Sequence, residues 1–365
     1  MPLWKPLQSC KPTQFILLNK LTMERKDFIT KGLVSGALLG ASVFTSTSNA
    51  AGNTKQNDTG KTKSLYGGDP EEVIVERSMP GKPHKGKVLL AIQAHADDIP
   101  LFAGGTVAKL MDEGYTGYLL RTSDDHAGDA EGNKRDNAKI AKYYGMRKAY
   151  DFMYPHHRMD SIQVQDLKGR LIFLFRLLKV DTIITWDPWE HYEENPDHIA
   201  TAHAVEAARW MAGTPNDYPE HLDAGLEPHT PKERYYFSRD PQRVNRIVDI
   251  SKYIDNKVEA NMLNTTKGPA GQHAGKALKE RLAKEGKRLP VLGDDDKSAD
   301  FNYVKNFVFD IDSRRLNFTQ ISNRELGKQY GLEWAERFHY ISDLELDDTT
   351  PNKLEQYIKN NAVPK

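Results

Sequence analysis

Residues 87–106 read KVLLAIQAHADDIPLFAGGT, and the fold turns on this stretch. Its opening, KVLLAIQA, is an almost continuous apolar run, the pattern of a strand buried on both faces. The run ends at His95, Asp97 and Asp98, and Gly104-Gly105 then open what reads as a helix extending to Gly114. Burying charge is costly unless that charge is paired or bound to a metal. A strand end carrying an imidazole and two carboxylates is therefore where chemistry is expected.

Working outward, strand and helix alternate. GYLLRTS (117–123), AYDFMY (149–154) and DTIITW (181–186) read as strands. Ala130–Gly145, Gln163–Lys179 and Asp197–Ala212 read as helices, the second with Leu167, Leu171, Leu174, Phe175 and Leu178 close to a 3.6-residue period. ERYYFS (233–238) and RIVDIS (246–251) are further strands, and Lys252–Asn264 a further helix. The pattern predicts an α/β fold: a Rossmann-like, mostly parallel sheet with helices on both faces, plus a C-terminal insertion or extension. We place the folded domain at 85–345. Within it, 268–300 is an insertion or lid, with a Lys-rich piece and an acidic run, Asp294-Asp295-Asp296, read as a solvated face. Residues 51–84 read as a flexible linker despite the short EEVIVE segment, and 346–365 as a polar tail.

In an open parallel sheet, ligands bind beyond the carboxyl ends of the strands. His95–Asp98 lies at one such end. DPWEHYEENPDH (187–198) follows another and brings His191, Asp197 and His198, while Thr122–His126 follows a third. The single cysteine, Cys10, excludes a disulfide framework and a cysteine-rich metal site, so a metal here is held by His, Asp or Glu. A catalytic zinc commonly takes three protein ligands and keeps a position for water. His95, Asp98 and His198 would make such a set, with Asp97 beside it to accept a proton from that water. The helix start at Gly104-Gly105 is expected to favour anions.

Two motifs carry a family resemblance. AHADDIPLFAGGTVAKL (94–110) resembles the AHPDDE…GGTLAKL signature of the LmbE/PIG-L family of zinc-dependent N-acetylglucosaminyl deacetylases, and NPDHIATAHAVEAA (195–208) resembles its second motif, HPDHxxxxxAVxxA. RYYFS and VDIS, followed by Lys257, are weaker landmarks, so the resemblance spans Lys85–Asn264. It implies a Rossmann-like fold, a bound Zn2+, and hydrolysis of an N-acetyl group from an amino sugar or glycoconjugate. Carried over by motif position, His95, Asp98 and His198 are the metal ligands, Asp97 is the general base, and Asp197 orients a neighbouring histidine. Four positions depart from the pattern. Ala96 replaces a proline, Ile99 replaces a supporting glutamate, Asn195 replaces the histidine opening the second motif, and Asn264 replaces another histidine. Asparagine donates a hydrogen bond to an oxyanion but cannot serve as a general acid. That role falls to Asp97 itself, or by position to His191 or His126. Two other readings stay open: a zinc amidase acting on another acyl or conjugate amide, and a catalytically idle carbohydrate-binding copy of the fold.

Arg121, Arg135, His126, His191 and Trp189 are the candidate substrate contacts, with salt bridges the competing role for the two arginines. His203 points to another helix face and reads as surface or packing. His156-His157 reads as a solvated turn or a sugar contact. Trp186 and Tyr192 are either core or a sugar platform.

The chain has 365 residues with 51 basic and 51 acidic side chains, which argues against an extended nucleic-acid-binding surface. Glu24-Arg25-Lys26, an apolar run from Gly32 to Phe44, and Ser48-Asn49-Ala50 have the layout of an export signal. Residues 23–50 are read as that signal, cleaved near Ala50, and 1–22 as an upstream extension. The expectation is an exported, periplasmic or extracellular protein whose mature chain has no membrane span, with an N-acetylated sugar as partner.

Overall fold

Val88–Gln93, the strand read at the start of the quoted stretch, lies deep in an eight-stranded sheet. The computed structural model describes residues 73–125, 129–190, 192–239, 241–266, 273–312, 321–343 and 353–364. All of them belong to one compact unit, residues 61–365. The export signal, His126 and His191 lie outside the described residues.

In chain order, β1 (Ile74–Glu76) precedes β2 (Val88–Gln93), and a π-helical turn at Ile99–Ala103 leads into α1 (Gly104–Asp112). β3 (Thr116–Ser123), α2 (Ala130–Tyr143), β4 (Lys148–Tyr154), α3 (Val164–Leu178), β5 (Thr182–Trp186) and α4 (Pro196–Ala212) follow in regular alternation. Then come α5 (Pro219–Asp223), β6 (Glu233–Phe237), β7 (Arg246–Asp249), α6 (Ile254–Met262), α7 (Ala274–Lys284), α8 (Asp296–Tyr303), α9 (Asn323–Gln329), β8 (Ala335–Ser342) and α10 (Lys353–Asn361). The strand order is β1-β7-β8-β6-β5-β2-β3-β4. β2 pairs in parallel with β3 and β5, and β3–β4 and β5–β6 are also parallel. This is the mostly parallel α/β sheet expected.

Alternate residues of β2 serve opposite faces, and both are covered. Leu89 and Ala91 join a core with Ile99, Val107, Ile184 and Val258, whereas Leu90 and Ile92 join Leu167, Leu171, Phe175, Ile183 and Val205. Each fully buried side chain of this size contributes about 1.5–3 kcal/mol, which is why a two-sided apolar strand settles in the middle of the sheet.

The remaining strands correct the domain boundaries. Residues 51–84 are not linker throughout, because Ile74, Val75 and Glu76 pair in parallel with Arg246, Ile247 and Val248. Three residues suffice at an edge because Val75 packs beside Ile247 while Glu76 pairs with Lys109 and Arg246. β8 was not anticipated. It runs antiparallel to both β6 and β7, making the sheet mixed. In the 268–300 segment, α7 and α8 pack together, with Gly275 against the Ala299 carbonyl, while the outer face of α7 is exposed as expected. The tail carries the exposed helix α10.

The start of α1 also departs from expectation. Its N–H groups do not wait for an external anion: Gly105 N and Thr106 N donate to the Glu336 carboxylate of β8, at 3.0 and 2.7 Å. Lys257 of α6 closes the pair at 2.5 Å. A side chain at Gly105 would meet Ile250 at 2.7 Å, so glycine is what lets this helix lie so close to the segment after β7.

Candidate metal centre

After β2 the chain turns back on itself, and Asp98 holds the turn. Its Oδ2 accepts from the Ala94 and His95 backbone N–H groups and from Trp186 Nε1 at the end of β5, each at 2.9 Å. Three donors on one oxygen leave Oδ1 to face two imidazoles. It lies 3.7 Å from His95 Nδ1 and 3.5 Å from His198 Nε2. The two ring nitrogens are 2.9 Å apart. His198 comes from the first turn of α4, its ring stacked on Trp186 at 3.9 Å and 16°. All three side chains are buried. Ligand bonds of about 2.0–2.1 Å directed tetrahedrally put donor atoms roughly 3.3 Å apart. The observed triangle of 2.9, 3.5 and 3.7 Å brackets that spacing, so the donor set fits a small divalent cation.

Each imidazole has a carboxylate on its outer nitrogen. His95 Nε2 lies 3.2 Å from Asp197 Oδ2, and His198 Nδ1 lies 3.1 Å from Glu193 Oε1. Such partners fix the tautomer, turning the inward nitrogen's lone pair toward the cation position. Asp197 is held in turn by the N–H groups of His157 (2.7 Å) and Met159 (3.1 Å), and Glu193 by Arg239 (3.1 Å). Burial would raise the Asp98 pKa, but His198 and His95 outweigh it and hold the carboxyl well below its usual range. Burial likewise opposes ionisation of Asp197 and Glu193, yet both lie low, chiefly through their histidines. Burial would lower His95, and the Asp197 and Asp98 carboxylates instead push it up to about 10. Glu190, in the same β5–α4 loop, goes the other way: burial, then Glu193 and Asp187, push it up to about 9.

The other candidates separate clearly. Asp97 is half-buried on the turn beside Asp98. Asn195 is the N-cap of α4, its side-chain oxygen accepting from Asp197 N at 2.9 Å, so it sets the helix start that carries Asp197 and His198. Arg121 takes the salt-bridge role rather than a substrate contact. Fully buried, it pairs with Asp151 (2.8 Å) and Asp125 (3.3 Å), and Asp125 accepts from Ala96 N (2.7 Å) to pin the His95–Asp98 turn. Arg135 is exposed, 3.7 Å from Asp129, and stands outside the cluster. Trp189 is half exposed and lines a cavity of about 500 Å³ with Arg209, Arg234 and His339. His203 bonds the Pro188 carbonyl at the surface. Ile99 is buried in the core. Lys257 belongs to the Glu336 pair.

Glu193, Arg239 and the under-ring position of Trp186 escaped the sequence reading. Glu193 stands next to an identical residue, Glu194, and only the folded loop singles it out.

Residues 90–209 match the family described as PIG-L, GlcNAc-PI de-N-acetylase. Over this stretch the chain is similar to the PIG-L family. Both motifs, with His95, Asp98 and His198, lie inside the matched stretch, and hydrolytic N-deacetylation is the chemistry of this family. The diacetylchitobiose deacetylase of Thermococcus kodakarensis is 26% identical over 185 residues, 48% of this chain and 67% of that protein. The structure of N,N'-diacetylchitobiose deacetylase from Pyrococcus horikoshii, in complex with an inhibitor, covers 75% of this chain and 91% of its own at a TM-score of 0.53 and 20% identity. That likeness is one of fold, and it extends well beyond residues 90–209. Among the described residues, no helix is long and apolar enough to cross a membrane.

Proposed function

We propose that the chain is a zinc-dependent N-deacetylase that removes an acetyl group from an amino sugar or glycoconjugate. The observation that carries this reading is the convergence of His95 Nδ1, Asp98 Oδ1 and His198 Nε2 from two distant segments onto one small triangle. A divalent ion held there supplies Lewis acidity, lowering the pKa of a water and polarising an amide carbonyl. The chain's own groups do the rest. His95 and His198 keep their outer protons on Asp197 and Glu193, which leaves the inner nitrogens as donors. Asp97 takes a proton from the attacking water as it adds to the acetamide carbon. Asn195, whose oxygen is committed to the helix cap, has its Nδ2 group to donate to the oxyanion. The C–N bond then breaks, and Asp97 returns the proton to the departing amine, giving acetate and a free amino sugar. Export remains a proposal resting on the sequence of residues 23–50.

Acetate release from a panel of N-acetylated glycans, with zinc added back to chelated protein, tests this reading. Asp97→Asn is expected to lower kcat by about 10²–10⁴-fold while zinc content stays unchanged. Absence of release across the panel from fully zinc-loaded protein would overturn it. Efficient cleavage of longer acyl amides in preference to acetyl would redirect it to another amide class.

A further inference from the structure

His95 has two edges, and the candidate centre uses one. On the other edge, His156 and His157 follow β4, with their rings stacked at 3.7 Å. The His156 ring centroid lies 5.0 Å from that of His95, and the His157 centroid lies 5.9 Å away. His95, His156 and His157 can each offer a ring nitrogen such that all three lie within 4.8 Å of one another. The Asp197 carboxylate sits among them, its Oδ2 3.2 Å from His95 Nε2 and 3.7 Å from His156 Nδ1.

We propose a second, inhibitory position for a transition-metal cation on this edge, formed by His95 Nε2, His156, His157 and Asp197. Imidazole-rich sites with a carboxylate suit Zn2+, Ni2+ and Cu2+. The loop is held in place by its backbone: His156 N–H donates to Asp124 Oδ1 (3.0 Å) and His157 N–H to Asp197 Oδ2 (2.7 Å). His157 has φ +54°, a left-handed conformation that is uncommon outside glycine and concentrates at functional sites. His157 is exposed and His156 half-buried, so a cation reaches this edge from solvent, whereas His198 and Asp98 are enclosed.

The two positions antagonise each other through His95. With the inner position filled, Nε2 carries the proton shared with Asp197. A cation on the outer edge takes the Nε2 lone pair, that proton passes to solvent, and Asp197 becomes a ligand instead of the group orienting His95. Excess metal therefore undoes the arrangement that one equivalent depends on. The inhibitory consequence rests on the deacetylase reading, but the metal count does not.

The test is equilibrium dialysis of the full chain against Zn2+ alone, followed by activity at each loading. The wild-type chain is expected to bind one tight and one weaker equivalent, with activity falling as the second binds. His156→Ala/His157→Ala is expected to bind one equivalent, and zinc inhibition in it should weaken by at least about 10–100-fold, the effect of losing even an outer partner. Because the loop change carries some risk to folding, His157→Asn, which tolerates the left-handed backbone, is measured alongside and should weaken the second equivalent. A wild-type chain that stops at one equivalent, or a double variant that retains two, overturns the proposal. Failure of the first equivalent to bind would instead overturn the proposed function.

Discussion

Asp98 and Glu336 are both buried carboxylates beside the turn at residues 99–103, one just before it and one capping the helix after it. Glu336 meets Lys257 at 2.5 Å and two helix N–H groups, so the chain itself supplies the counter-charge. Around Asp98 the balance differs. Asp98, Asp197 and Glu193 surround two imidazoles, with Arg239 alongside Glu193. Three carboxylates against one guanidinium leave the remaining charge to the titratable rings, and the His95 pKa of about 10 expresses that demand. A buried charge with a permanent partner is architecture. A buried surplus of one sign, carried beside rings that can exchange a proton for a cation, is what the proposed metal site is built from.

Removing one member from each cluster separates the two. His198→Ala should abolish stoichiometric zinc and reduce deacetylation to background while leaving a folded chain, as read by metal analysis and circular dichroism. Glu336→Ala should do the reverse. Stranding Lys257 without its carboxylate costs about 3–5 kcal/mol, seen in denaturant unfolding, while the protein that remains folded still binds zinc. If Glu336→Ala instead removes metal without loss of stability, the contrast fails.

A finer comparison lies within the Asp98 cluster. Glu193→Gln keeps the shape of the loop but weakens its hold on the His198 tautomer, and zinc affinity should fall about 10–100-fold in chelator competition. The smallest effect concerns Glu190. Its folded pKa of about 9 is above the unfolded value of 4.5, so its contribution to stability is fully present below 4.5 and lost as pH rises toward 9. Glu190→Gln should therefore leave Tm unchanged near pH 4 and raise it relative to wild type at pH 9. Equal Tm differences at both pH values would show that Glu190 is not held neutral by its neighbours.

The parallel strands and the positions of the converging residues His95, Asp98 and His198 were legible because their signals are local. Residues 87–94 and DTIITW are apolar throughout, and His95, Asp98 and His198 sit where strands end or a helix begins. What escaped was set by distant pairing. β1 is three residues long and draws its stability from β7, and β8 carries a charged Glu336 facing inward, which breaks the apolar pattern. For Arg121 the sequence held both a substrate contact and a salt bridge open, because nothing local to it announces Asp151. Glu193 was passed over for a different reason: its partner His198 is close by in the chain, but nothing in the sequence tells Glu193 from Glu194.

The cap on α1 comes from a residue 231 positions further along the chain. A ribosome that has delivered His95, Asp98 and His198 has still not delivered Glu336, so Lys257 and the helix after the 99–103 turn wait for β8. Excising residues 90–209 as a minimal enzyme would leave that helix end permanently uncapped, and the smallest self-sufficient fragment must reach past Ser342.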